Sequence, residues 1–256
     1  MSEFAGERIA KVIARAGVCS RRDAERLIEA GRVTLNGKTV KAAAVNVTTQ
    51  DIIRVDGKVL PRKEEARLWR YHKPEGLVVS HKDPEGRPSV FDKLREQLPR
   101  VVSIGRLDIN TEGLLLLTND GELARALELP SAGWIRRYRV RAYGKADDAL
   151  LAKIAKGVEI EGVKYGPVEA KIDQTQGDNV WLTIAIKEGK NREVKKLCEF
   201  VGLRVNRLIR LAFGPFLLGE LKRGGIEEVP PKYLKEQLGT KFKDENAHRR
   251  RKIQGP

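Results

Sequence analysis

Two cysteines, Cys19 and Cys198, stand in a chain of 256 residues. That is too few for a disulfide framework, and it suits a reducing cytoplasm. Long apolar runs are missing too. Runs such as Gly113 to Leu117 fall far short of the roughly 20 residues a membrane helix needs, so no membrane partner is expected. The start, Met1 to Glu7, has no basic segment followed by an apolar one, which argues against a signal peptide. The three histidines and two cysteines show no zinc-ligand spacing. There is no Walker-type phosphate loop and no dinucleotide glycine fingerprint. No metal and no small-molecule cofactor are expected.

Positive charge is abundant. Lys and Arg total 50 against 35 Asp and Glu, a formal net charge of +15. Such a field draws in polyanions, and nucleic acid is the commonest of them. The excess is densest at the ends. Residues 1–64 hold 13 basic and 8 acidic side chains, and residues 241–256 hold 6 and 2. With 41% hydrophobic residues the chain has enough apolar material for a packed core.

Near the N-terminus, Ile9, Val12, Ile13 and Ala16 fall at helical spacing, and Gly17 ends that helix. Ser20 is placed to cap a second helix, with Asp23 three residues on. Ala24, Leu27 and Ile28 continue the apolar stripe, and Gly31 closes it. Val33 and Leu35 alternate into a strand. The pairs Asn36-Gly37 and Asp56-Gly57 predict tight turns. By composition alone, Arg21, Arg22, Arg26 and Arg32 among Asp23, Glu25 and Glu29 read as a mixed-charge solvated helix. The stretch Arg15 to Gly37 as a whole resembles the small RNA-binding module first known from a small-subunit ribosomal protein, over about residues 7–60. That resemblance implies that Ser20, Arg21, Arg22, Arg26 and Arg32 lie on or near an RNA face.

A short charged linker, Pro61 to Arg67, separates this module from the body. Leu68–Tyr71 and Gly76–Ser80 are read as strands around a Lys73-Pro74-Glu75-Gly76 turn. Val101–Ile104 forms another short β-branched run, and Leu114–Thr118 forms a strand before the Asn119-Asp120-Gly121 turn and a helix from Glu122 to Leu127. Asp108 sits in the polar loop between two of these strands. Pattern alone makes it an ordinary loop carboxylate.

The segment Gly105-Arg106-Leu107-Asp108, followed by Thr111 to Gly121, resembles the signature of the RsuA/RluB family of bacterial rRNA pseudouridine synthases. The resemblance runs over roughly residues 68–230 and is closest to the large-subunit RluB type. It implies an α+β fold: a small N-terminal module of two helices and short strands, then a larger mixed, mainly antiparallel-sheet synthase domain. The expected boundaries are 1–64, 65–240 and a basic tail, 241–256. The resemblance matches Asp108 to the family's essential aspartate and Arg106 to an arginine that helps displace the target base. It matches Tyr138, in Trp134–Val140, to the active-site tyrosine. It places a basic partner in Lys187–Leu197, at Lys195, with Lys190 and Arg192 as alternatives. Leu208–Phe216 matches an apolar strand lining the uracil pocket.

The implied reaction moves a glycosidic bond from a ring nitrogen to a ring carbon of the same uracil, with no redox step. A carboxylate can drive it by attacking the ribose or by removing a ribose proton. A neighbouring cation keeps that carboxylate ionised against burial. An aromatic face such as Tyr138 recovers part of the cost of unstacking the base. The expected partner is ribosomal RNA and the expected state a monomer. Three other readings are a small-subunit rRNA synthase, a non-catalytic RNA-binding assembly factor, and a DNA-binding regulator that uses the paired N-terminal helices. The strand-rich body argues against the last.

Overall fold

A computed structural model of the chain describes residues 6–61 and 64–239. They fall into two compact units, one formed mainly by the residues before Arg67 and the other by Arg67–Thr118 with Glu122–Gln237. The basic tail at 241–256 lies outside the described residues.

The smaller unit begins with strand β1 (Glu7–Arg8), helix α1 (Ile9–Arg15) and helix α2 (Arg21–Glu29). Ser20 caps α2: its hydroxyl accepts from the Asp23 amide and donates to the Asp23 carboxylate at 2.6 Å. Strands β2 (Val33–Leu35), β3 (Lys38–Val40), β4 (Asn46–Val47), β5 (Ile53–Val55) and β6 (Lys58–Val59) follow. They form an antiparallel sheet in the order β3-β2-β5-β6, while β4 pairs β1. Both predicted turns hold residues at positive φ: Asn36 at 51° and Gly37 at 82°, Asp56 at 50° and Gly57 at 77°. Those are the backbone values that match a two-residue hairpin to the sheet's twist. Ile9, Ile13, Ala24, Ile28, Val33, Ile53 and Val55 meet in the core.

The larger unit runs β7 (Leu68–Lys73), α3 (Val90–Leu94), β8 (Val102–Ile104), β9 (Glu112–Thr118) and α4 (Gly121–Glu128). It continues through β10 (Arg136–Tyr143), α5 (Asp148–Ala155), β11 (Val158–Ile160), β12 (Val163–Tyr165), β13 (Glu169–Gln176) and β14 (Asn179–Ile186). It closes with α6 (Glu193–Phe200), β15 (Arg204–Phe213), β16 (Phe216–Leu217) and β17 (Ile226–Glu228). The main sheet has the order β13-β14-β10-β15-β9-β7-β17, with β16 beside β15 and β8 beside β9. Every pairing in it is antiparallel except that of β15 with β9. One face carries Trp69, Tyr71, Leu115, Leu117, Tyr138, Val140, Leu182 and Leu208, and α3, α5 and α6 pack onto it. Strand β9 is buried along its whole length, which is why its four consecutive leucines show no alternation.

Two expectations are corrected. Gly76–Ser80 is not a strand. Both edges of β7 are taken, by β9 and β17. The segment therefore makes only an isolated bridge, Val78 with Ser89. The apolar run Leu208–Phe216 is not one strand either. Gly214, at φ +54°, turns the chain, so that β16 folds back on β15. A Cβ at Gly214 would lie 2.4 Å from the Trp134 ring.

Candidate active site

The edge of β9 changes neighbour along its length. Its first residues pair with β15, Glu112 with Ile209 and Gly113 with Arg210, while its last three pair with β8. The loop 105–111 enters at this change and carries Asp108. The close approach needs a glycine: Gly113 has φ +104°, and a Cβ there would lie 2.3 Å from the Arg210 carbonyl oxygen.

Lys73, at the end of β7, lies beneath the loop and is fully buried. Its ammonium donates to the carbonyls of Pro74 at 2.9 Å, Asp108 at 3.1 Å, Ile109 at 3.3 Å and Thr111 at 3.0 Å. One cation thus gathers four loop oxygens that would otherwise face a core, where an unpaired carbonyl is costly. Burial pulls the Lys73 ammonium down to about 8, opposed by the carboxylates of Asp108, Glu75 and Glu112. The Thr111 amide closes the turn onto the Asp108 carbonyl at 3.0 Å.

Above the loop opens a cleft of about 490 Å³. Asp108, Tyr138, Leu208, Arg210 and Phe213 line it, with Arg106 exposed on its wall. Lys195, on α6, pairs with Asp108 across 3.5 Å, with 12% of the Lys195 side chain and 38% of the Asp108 side chain exposed. Of the three basic candidates it is the one that reaches the carboxylate. Lys190 is held by Glu188 at 2.7 Å and by the Lys164 carbonyl. Arg192, in the left-handed region at φ 51°, starts α6 and lines the cleft.

Two other carboxylates border the cleft, and each serves the backbone. Glu193 accepts from the Lys190 amide at 2.8 Å, and burial raises its pKa. Glu128 accepts from the Gly105 amide at 2.6 Å. Asp108 is the carboxylate that meets a cation there and stays open to solvent. Tyr138 is 8% exposed on β10, in register with Ile184 on one side and Arg210 on the other.

Four charged residues near the cleft escaped the sequence reading: Lys73, Arg136, Glu193 and Arg210. Arg210 is 2% exposed and donates through Nε to the Leu114 carbonyl at 2.7 Å. Arg136 lies over the Phe213 ring at 4.7 Å, and burial lowers its pKa. For the three on strands the signal was phase. Lys73 is in phase with Trp69 and Tyr71, Arg136 with Tyr138, and Arg210 with Leu208, all on the packed face.

The N-terminal candidates are spread over α2 and the turn after it. Arg21 and Arg26 are exposed and pair loosely with Glu25 and Asp23, at 3.5 and 3.3 Å. Arg22 is exposed without an ion pair among the described residues. Arg32 makes a two-pronged bond to Asp56, both contacts 2.7 Å, and the Ser20 hydroxyl is engaged in the cap.

A mixed, mainly antiparallel sheet thus sets a loop aspartate and a strand tyrosine in one cleft, with a helix lysine paired to the aspartate. The RNA pseudouridylate synthase family model matches residues 67–200, and the S4 domain model matches residues 7–53. An uncharacterized RNA pseudouridine synthase of Rickettsia felis is 48% identical over 230 residues, covering 90% of this chain and all of the relative. Ribosomal large subunit pseudouridine synthase B of Haemophilus influenzae is 43% identical over 263 residues, covering 96% of this chain and 74% of the relative. A solved pseudouridylate synthase structure superposes with a TM-score of 0.65 at 27% identity, over 90% of this chain and 99% of that one. The chain belongs to the RNA pseudouridylate synthases, in the RsuA/RluB family with its N-terminal S4 domain. It is an isomerase that converts uridine to pseudouridine in RNA.

Proposed function

We propose that the protein isomerises one specific uridine of large-subunit (23S) ribosomal RNA, with Asp108 as the catalytic nucleophile. The observation that carries this reading is the pairing of Asp108 with Lys195 in a cleft where the other two carboxylates are engaged by backbone amides. Lys195 sets a positive charge 3.5 Å from the carboxylate, at a site that a bound nucleotide would close to water. Asp108 attacks the ribose carbon bearing the base. The bond to the ring nitrogen breaks, and its electron pair leaves with the uracil. The base turns, its ring carbon takes the ribose, and the carboxylate is released. That carbon loses its proton and the ring nitrogen gains one, so no atom is added overall. Tyr138 supplies the face on which the detached base is held. Arg106, exposed on the cleft wall, fills the gap left in the RNA stack. Relatives named as large-subunit synthases favour that rRNA over the small-subunit alternative.

In this reading residues 1–64 form the RNA-binding module, with Ser20, Arg21, Arg22, Arg26 and Arg32 on its RNA side. Residues 65–240 form the catalytic domain, Lys190 and Arg192 contact RNA at the cleft, and 241–256 is a basic tail. The protein acts as a monomer in the cytoplasm, where its substrate is made. Asp108→Asn tests the assignment. Pseudouridine in purified large-subunit rRNA, read by a pseudouridine-specific chemical stop, should vanish while RNA affinity stays within about twofold. Normal turnover by this variant would sink it.

A further inference from the structure

The second face of the main sheet has no part in the cleft. In β10 the burial alternates strictly: Tyr138, Val140 and Ala142 point to the helices, while Arg137, Arg139, Arg141 and Tyr143 are exposed. Register continues this pattern across the neighbours. Arg139 stands beside Thr183 of β14, which stands beside Lys171 of β13. Arg141 stands beside Trp181 on one side and Arg207 on the other, and Tyr143 beside Arg204. The outcome is an open, cation-rich face of four adjacent strands, β13, β14, β10 and β15.

Three features set it apart from an ordinary solvated surface. First, Arg137, Arg139, Arg141, Lys171 and Arg204 have no carboxylate partner among the described residues. The acidic groups on this face are few. Glu169 lies two strands from Arg137, Asp173 is engaged by the Thr183 hydroxyl at 2.8 Å, and Glu112 neutralises Arg207 at 2.7 Å. Second, Arg141 and Arg207 are cross-strand neighbours, and because Glu112 holds Arg207, Arg141 is the cation of that pair whose charge is open to an incoming anion. Third, two guanidinium groups lie over aromatic rings: Arg139 over Trp181 at 4.8 Å and Arg204 over Tyr143 at 5.3 Å. The ring holds each fork in place and leaves its N–H edges free, the arrangement suited to two-pronged phosphate contacts.

We propose that this face is a second RNA-binding surface, which holds the phosphate backbone of a structured RNA on the side of the sheet away from the cleft. The cations along β10 repeat every second residue, about 6.8 Å apart, and Lys171 and Arg204 widen the row across the sheet. The face offers charge and guanidinium forks, and its exposed aromatic, Tyr143, lies under Arg204, which suits a polyanionic backbone better than a protein. RNA is already the enzyme's substrate class, so a long RNA held at the cleft brings further phosphates within reach.

The test is the full-length Arg139→Gln/Arg141→Gln/Lys171→Gln variant, assayed by filter binding of a domain-length structured rRNA transcript between about 50 and 200 mM salt. Removing three phosphate contacts should lower the slope of log K against log salt by about two to three. KM for that RNA should rise about tenfold or more, with kcat at saturating RNA unchanged. Arg139→Lys/Arg141→Lys, which keeps the charges, should keep most of the slope. If the triple variant fails to fold, Lys171→Glu on an edge strand reads the same slope with a smaller change. An unchanged slope and KM would overturn the proposal. So would an unchanged slope with loss of binding to ribosomal proteins, which would assign the face to a protein partner. The slope does not depend on which uridine is modified, so failure here leaves the proposed target and the role of Asp108 untouched.

Discussion

Replacing Lys73 by Met separates loop positioning from fold stability. Four carbonyls lose a donor, but two keep another. The Asp108 oxygen still accepts from the Thr111 amide at 3.0 Å, and the Ile109 oxygen from the Gly76 amide at 2.9 Å. The Pro74 and Thr111 oxygens are left, at about 1–3 kcal/mol each, so the loss is of the order of 2–6 kcal/mol. Against it stands relief of the buried charge. A fall of the Lys73 pKa from 10.5 to about 8 corresponds to roughly 3 kcal/mol by which burial disfavours the ammonium. Methionine fills much the same volume without that cost. The two effects nearly cancel, so the thermal midpoint should move by no more than about 5–10 °C. The loop suffers far more. Without its anchor Asp108 need shift only ~1 Å for the rate to fall about 100-fold. Single-turnover conversion of rRNA gives the rate, and hydrogen exchange at the amides of 105–111 gives the loop's mobility. A kcat within twofold of wild type would show that Lys73 does not hold Asp108 in place. So would loss of activity in step with global unfolding while the loop amides stay protected.

Gly113→Ala should destabilise by at least about 3 kcal/mol through overpacking and a strained positive φ, because its Cβ would sit 2.3 Å from the Arg210 carbonyl oxygen; a chemical denaturation midpoint matching wild type would contradict the close β9–β15 approach. The pair of Glu112 and Arg207 predicts an acid limb. Arg207 holds the Glu112 carboxyl below its ordinary 4.5, so its stabilisation is complete above that value and is lost as pH falls through the lower folded value. Glu112→Gln should therefore flatten the stability profile below about pH 4.5 and cost stability at pH 7, as urea titrations at several pH values will show.

Most of the smaller unit follows from local sequence alone. Its information is local: Ser20 caps, glycines end helices, and Asn36-Gly37 and Asp56-Gly57 take the backbone angles that tight hairpins demand. Asp108 and Tyr138 stood out only through the family resemblance, which a contiguous motif carries; local pattern left one an ordinary loop carboxylate and the other a strand aromatic, and the tertiary structure sets both in one cleft. The distant parts were not legible. Whether Lys190, Arg192 or Lys195 meets Asp108 depends on where α6 begins and which way it faces, and packing of Val194, Leu197 and Cys198 against the sheet decides that. Gly76–Ser80 has strand composition but no free edge, a matter of sheet order rather than of local preference. Lys73, read as a turn residue, became the anchor of the loop because β7 and β9 bring it beneath four carbonyls set 1 to 38 positions away in sequence. Local rules state what each segment can form; only the sheet order states which buried charge meets which backbone oxygen.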